Sequence, residues 1–386
     1  MEYSRTIGSL SPSATLQLSA KAKAMIQSGR DVVSLSAGQP DFPTPAPIAE
    51  AGIEAVRDGK TGYTASSGIP ELRRAVAESY SARRGLEWKP ENVVVSCGAK
   101  HSLSNLMASA LNPGDAVLLP RPYWVSYPEM VKAFGGVPLF PEGGLSAEDI
   151  RNAASRGAVG VLLNYPSNPT GLVPSPEEVR DMAEAISETG LWVITDDIYE
   201  DLVYIDSGLP HVLDFRPDLQ DRTAVVSGVS KTYSMTGWRI GYCLCSAEWA
   251  RLSGLHQAHS TSNPCSISQW AALAAVTGRA EKQRKSMHAA FRRRRDLICS
   301  LLSREEYLQF DKPDGAFYVF ARLKVPERLD SAAFCSDLLE KEEVALIPGS
   351  AFGAEGFVRI SFAASEDDIR EGVKRLGRFL HRRYDT

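Results

Sequence analysis

Cysteine is scarce: the 386-residue chain has six and no CxxC pair, too few for a disulfide framework. Cys243 and Cys245 merely alternate along an expected strand. Positive charge is not in excess, since 43 Lys and Arg face 47 Asp and Glu for a net charge of −4. No global basic field therefore exists to attract nucleic acid or anionic lipid. No apolar run approaches the ~18 residues that span a bilayer. The first residues lack a charged stretch followed by an apolar one, so secretion is not expected and a cytoplasmic location is. Internal repeats and low-complexity linkers are absent. The chain is 44% hydrophobic and 23% charged, ordinary for a globular protein, which excludes disorder, collagen and coiled coil as its architecture. At about 150 residues per domain the length predicts two or three domains, ample for two cores.

Between residues 92 and 242, short apolar runs alternate with helix-period segments. Strands are expected at 93–95, 116–119, 159–163, 191–194 and 223–226. After Pro176, the residues Val179, Met182, Ala183 and Ile186 share one helical face. Strands apolar on both faces and separated by helices predict a mostly parallel sheet sandwiched by helices. Further on, a polar-faced helix through 292–302 leads into short strands near 318–323, 345–347 and 358–362. A last helix aligns Ile369, Val373, Leu376 and Leu380. The fold class expected is α/β, a large domain with a smaller α+β domain beside it. The boundaries read as 1–45 for an N-terminal segment packing on the small domain, 46–285 for the large domain, and 286–386 for the small one.

Ligands of open parallel sheets bind at the carboxyl ends of the strands, so the residues just past each strand carry the information. After the first strand comes Ser96-Cys97-Gly98-Ala99-Lys100, small residues entering a helix N-terminus and suited to an anion. A proline-punctuated turn at 164–171 presents Asn168, and carboxylates emerge from a wholly apolar strand at Asp196 and Asp197, followed by Tyr199. Ser230 and Lys231 follow the next strand, with Arg239 eight residues beyond the lysine. Pyridoxal 5′-phosphate needs such a set: an amine for its aldehyde, a carboxylate at its ring nitrogen, donors at its phenolate oxygen and an anion cradle. Lys231 supplies the amine and Asp196 the carboxylate. Asn168 and Tyr199 supply the donors, while Ser230, Arg239 and the turn at Gly98 supply the cradle. A carboxylate facing a ring cation should have a lowered pKa and stay ionised. Asp197 points elsewhere by strand alternation.

The stretch Ser-Lys-Thr-Tyr-Ser-Met-Thr-Gly-Trp-Arg-Ile-Gly-Tyr at 230–242 resembles the cofactor-lysine signature of class I pyridoxal-phosphate-dependent aminotransferases, fold type I. The segments at 167–171, 123–128, 68–73 and 358–361 match the same family in order, from about Ser13 to Leu380. The resemblance is closest to the bacterial aspartate aminotransferase subgroup. It implies that Trp124 stacks on the cofactor ring and that Ala99 and Lys100 belong to the phosphate turn. It also implies that Arg359 clamps the substrate α-carboxylate and that the Gly38 backbone closes over substrate. A homodimer follows, with Tyr63 reaching the phosphate of the neighbouring subunit. L-Aspartate and 2-oxoglutarate are the implied substrates, because Lys100 and Thr15 match positions that bind a distal carboxylate. Two departures stand out: Ser167 replaces a usual asparagine, and 141–144 is short.

Some relatives in this family accept prephenate through a lysine where this chain has Ser11, so prephenate ranks behind aspartate. An aromatic or neutral amino acid fits beside Trp124, and a pyridoxal-phosphate lyase is the more distant alternative, opposed by the carboxylate clamp at Arg359. A ligand-sensing regulator on the same scaffold would need a DNA-binding extension for which no room remains. The Asp196, Asp197, Glu200 spacing imitates a magnesium site but ends a strand instead of lying on a helix. Ser230-Lys231-Thr232 lacks the glycines of a phosphate-binding P-loop. The run 292–295 of four arginines reads as a solvated helix face, the tryptophans at 88, 192, 249 and 270 as packing residues. The six histidines show no metal-ligand spacing.

Overall fold

The computed structural model describes residues 2–12, 14–325 and 330–385; Ser13, where the family resemblance starts, lies outside them. A seven-stranded sheet forms the centre. In chain order its strands are β1 (Val93–Ser96), β2 (Ala116–Leu118), β3 (Val137–Leu139), β4 (Ala158–Asn164), β5 (Trp192–Asp196), β6 (Thr223–Gly228) and β7 (Gly241–Leu244), arranged β1-β7-β6-β5-β4-β2-β3. Only β7 runs against the others. Strands β1, β6 and β7 are buried along their whole length, as continuous apolar runs between two helical layers require.

Local chemistry explains the helices. Ser175 caps the helix Pro176–Thr189 by accepting the Glu178 N–H, and Gly190, at φ 74°, ends it in the left-handed region. Its Val179, Met182, Ala183 and Ile186 are buried. The last helix, Glu366–Tyr384, starts with Glu366, Asp367 and Asp368 and ends with Arg382 and Arg383, charges that complement its dipole.

A second, antiparallel sheet joins Ile347–Pro348, Phe357–Ser361, Tyr318–Leu323 and Leu308–Gln309. The strand expected at 345–347 is split. Val344–Ala345 pairs in parallel with Val33–Ser34, whereas Ile347–Pro348 pairs with Phe357–Ser361. The N-terminal segment is thereby stitched to the C-terminal part, and its helix Ala14–Gln27 buries Ala22 and Met25 against Leu339 and Ala345. No helix among the described residues is long and apolar enough to cross a membrane.

The arginine run departs from the expectation of a solvated face. Arg294 and Arg295 are buried, on the inner side of Glu281–Leu302 with Phe291 and Ile298. Arg294 makes two hydrogen bonds to Asp41, at 2.7 and 2.9 Å, and lies over Phe42; Arg295 lies over Tyr204. Four consecutive residues spread around a full helical turn, so they cannot all share the solvated face. His381 lies at the surface, where it, Glu306 and Asp385 converge within 4.8 Å.

One glycine fixes the edge where ligands bind. A Cβ on Gly241 would stand 2.2 Å from the Ala99 nitrogen. Strand β7 thus starts in contact with the opening turn of the helix Ala99–Ala110, and because β7 is reversed, Arg239, two residues before it, sits at the carboxyl edge of the parallel strands. Gly241→Ala should cost roughly 1–3 kcal/mol by overpacking, read as a lower urea midpoint with an unchanged far-UV circular dichroism spectrum.

Candidate active site

At that edge lies a cavity of about 370 Å³ lined by Thr15, Gly38, Ala99, Lys100, Trp124, Asn168, Asp196, Tyr199, Ser230, Lys231, Arg239 and Arg359, among others. That size is within the range of small-molecule sites. Every sequence-derived candidate meets here except two. Gly98 stands directly behind the wall, where a Cβ would be 2.5 Å from the Arg239 guanidinium. Tyr63 is 94% exposed and lines no part of the cavity.

Asp196 ends β5, and its carboxylate is fixed by the Tyr127 hydroxyl, which donates to Oδ2 at 2.7 Å, and by the Ile198 N–H, which donates to Oδ1 at 3.3 Å. Burial raises its pKa to about 6, against the hydrogen bonds from Tyr127 and Ile198 and the charge of Lys231. Desolvation outweighs these contacts because the carboxylate lies wholly inside the packed wall of the cavity. Asp197, its neighbour, turns the other way and lies 3.5 Å from His211 Nε2. Burial raises its pKa as well, reinforced by Glu200.

On β4, the strand paired with β5, Asn164 donates to the Asp196 carbonyl at 2.8 Å and accepts the Asn168 N–H at 2.9 Å. Asn168 Oδ1 in turn accepts from Arg359 Nη1 at 2.9 Å, while Arg359 Nη2 donates to the Ser36 carbonyl at 3.0 Å. The guanidinium lies over Tyr318, 4.2 Å from its ring centre, and its buried Nε has no hydrogen-bond partner. Tyr318 and Tyr199 share a hydroxyl contact of 2.9 Å. Burial holds the Tyr199 pKa well above its ordinary value, so that hydroxyl keeps its proton.

Lys231 follows β6 and donates to the Gly38 carbonyl at 2.7 Å. Burial, then Arg239 and Arg359, lower its pKa to about 8, with Asp196 opposing. Arg239 is held at φ 57° and donates to the carbonyls of Thr236 at 2.9 Å and Cys97 at 3.3 Å. A non-glycine residue in the left-handed region is strained, and strain of this kind clusters at functional sites. Lys100 lies over the Trp124 ring at 4.7 Å, its pKa lowered by burial and by Arg239.

Lys100, Lys231, Arg239 and Arg359 thus surround a cavity whose only lining carboxylate among the described residues is Asp196. None of the five makes an ion pair among the described residues; the cations are instead turned toward carbonyls, an amide oxygen and aromatic faces. The residues fit pyridoxal phosphate: a buried carboxylate without a cation, an amine made easier to deprotonate, and a helix N-terminus whose Gly98 leaves room for a guanidinium. Sequence reading missed Tyr127, Asn164, Ser36 and Tyr318. The first two carried a weak signal, one inside the 123–128 motif and one as the polar end of an apolar strand. Ser36 and Tyr318 reach the cavity from distant segments and carried none.

This fold and site place a buried lysine and three further cations around one cavity at the carboxyl ends of a parallel sheet. The chain belongs to the aminotransferase class I and II family, whose sequence profile matches residues 30–376, and it is therefore an aminotransferase. It is 43% identical to the probable aspartate/prephenate aminotransferase of Aquifex aeolicus over 97% of each chain. It is 39% identical to the aspartate aminotransferase of Geobacillus stearothermophilus over 99% of this chain and 100% of that one. Among solved structures, the aspartate aminotransferase from Thermus thermophilus with maleate superimposes with a TM-score of 0.92 at 37% identity, covering 98% of this chain and 99% of that one.

In the cofactor-free protein, Lys231 should react with an amine-selective reagent with a midpoint near pH 8, well below an exposed lysine at about 10.4. Removing the charge that favours its protonated form, by Asp196→Asn, should move that midpoint lower, as read by pH-dependent labelling and peptide mapping.

Proposed function

We propose that the protein moves the amino group of L-aspartate to 2-oxoglutarate, giving oxaloacetate and L-glutamate, with pyridoxal 5′-phosphate as its cofactor. The observation that carries this reading is the surplus of four cationic side chains over one carboxylate around the cavity. A phosphate and the two carboxylates of a dicarboxylic substrate are the anions that such a surplus accommodates. The names of the relatives, aspartate and aspartate/prephenate aminotransferase, support it, as does maleate, a dicarboxylate, in the Thermus structure.

In this reading Lys231 anchors the cofactor through its amine, Asp196 sits at the ring nitrogen, and Asn168 and Tyr199 donate to the phenolate oxygen. Ser230, Arg239 and the turn 98–100 hold the phosphate, and Trp124 covers the ring. Bound there, the cofactor supplies a carbonyl that takes up amino groups and a cationic ring that spreads the electron pair left at Cα. The remaining work falls to the protein. Arg359 binds the α-carboxylate, for which its unpartnered Nε is a ready donor. Lys100 and Thr15 receive the distal carboxylate. Lys231 Nζ, freed when the substrate amine takes its place, would take the proton from the substrate Cα, a task suited to an amine with a pKa near 8. Asp196 remains ionised above about pH 6 and so keeps its charge during turnover.

Two copies are proposed to share their sites, with the exposed Tyr63 of each reaching the phosphate of the other. The division at residues 45 and 285 is part of the same proposal, supported by one core cluster from Ile48 to Ala280; a second cluster unites Val33 and Leu35 with residues from Phe291 to Leu380 and takes in Ile198, Tyr199, Leu202 and Tyr204 where the two parts meet. So is a cytoplasmic location, supported by six free thiols. Prephenate is a second reading, favoured by relatives that carry both names.

Lys231→Ala should abolish turnover. A panel of amino donors with 2-oxoglutarate, repeated on Lys100→Ala, tests the substrate. Losing one charge-assisted contact costs roughly 1.5–3 kcal/mol, so aspartate should fall about ten- to a hundredfold while alanine holds. Equal losses for both donors would overturn the assignment.

A further inference from the structure

The loop that carries Tyr63 is anchored from below by two glutamines buried to 0% exposure, Gln257 and Gln269, each with its amide oxygen and nitrogen paired. Gln269 Oε1 accepts the Ile69 N–H at 2.7 Å, and its Nε2 donates to Thr64 Oγ1 at 3.1 Å and to the Pro264 carbonyl at 2.9 Å. Gln257 Nε2 donates to the carbonyls of Ser66 at 2.5 Å and Val95 at 2.8 Å, and its Oε1 accepts from Asn105 Nδ2 at 2.8 Å. The Ser67 carbonyl also accepts the Val95 N–H at 3.0 Å. Val95 belongs to β1, the strand that runs into the Gly98 turn.

We infer that Gln257 and Gln269 are positioning residues for the Tyr63 loop, Gln257 holding its far end on β1 and Gln269 fixing Thr64 and Ile69 to the turn before its own helix, so that the phosphate turn of one copy and the tyrosine offered to the other are built on one rigid unit. This rests on the proposed role of Tyr63 in a shared site. The physical reason is that buried amides are costly unless every partner stays in place. Apolar residues would fill the same space while leaving the loop free to slide; the amides allow one register only. The fixed end starts at Thr64, one residue from the exposed ring.

The test measures cofactor affinity by absorbance titration and oligomeric state by sedimentation for Tyr63→Phe, Thr64→Val, Gln269→Met and the double variant of Tyr63 and Thr64. Tyr63→Phe should weaken cofactor binding about tenfold or more, and Thr64→Val and Gln269→Met about three- to tenfold. The double variant should bind no more weakly than Tyr63→Phe alone, because the loop then has no hydroxyl left to deliver. If Tyr63→Phe binds cofactor like the parent, the shared-site reading itself fails. If Tyr63→Phe weakens binding but Thr64→Val does not, or if the two losses add, the positioning role is overturned. Should Gln269→Met not fold, Thr64→Val decides alone.

Discussion

Four cationic groups gathered around one cavity with a single lining carboxylate form the constraint on which the rest of this structure depends. Like charges in a partly dry space repel and lose hydration, so such a site is stable only if each cation finds other oxygen or aromatic partners. The fold supplies them from many directions. Gly38 and Ser36 offer carbonyls from the N-terminal segment, Thr236 and Cys97 from the loops beside β7 and β1, and Tyr318 and Trp124 offer ring faces. The result is an enzyme site kept primed for anions at the expense of stability, the usual relation between strain and function.

Burial beside that constraint governs the two titrations that matter. Burial moves Asp196 up to about 6 and Lys231 down to about 8, each toward its neutral form. Near neutral pH the carboxylate still holds its charge and the amine is poised to give up its proton. Opposite shifts of neighbouring groups are how one site holds an acid and a base together.

The buried Arg294 and Arg295 show a similar economy outside the site. A run of four arginines on a helix looks like a solvated surface in one dimension. In the fold, Arg294 ties the helix Glu281–Leu302 to Asp41, three residues beyond Gly38, whose carbonyl accepts Lys231. Charge that reads as surface is a tether between the N-terminal segment and the C-terminal part.

The amino-acid sequence by itself determined the parallel sheet, because continuous apolar strands separated by amphipathic helices have few other ways to bury both faces. It also determined which residues stand at the strand ends, and so Asp196, Asn168, Lys231, Arg239 and the Gly98 turn were legible from local order alone. What only tertiary structure decided are the contacts between segments far apart in the chain. Tyr127 reaching Asp196, Ser36 reaching Arg359 and Tyr199 meeting Tyr318 join residues 69, 323 and 119 positions apart. Periodicity reports which face of an element is buried, but the partner across that face is chosen by packing in three dimensions.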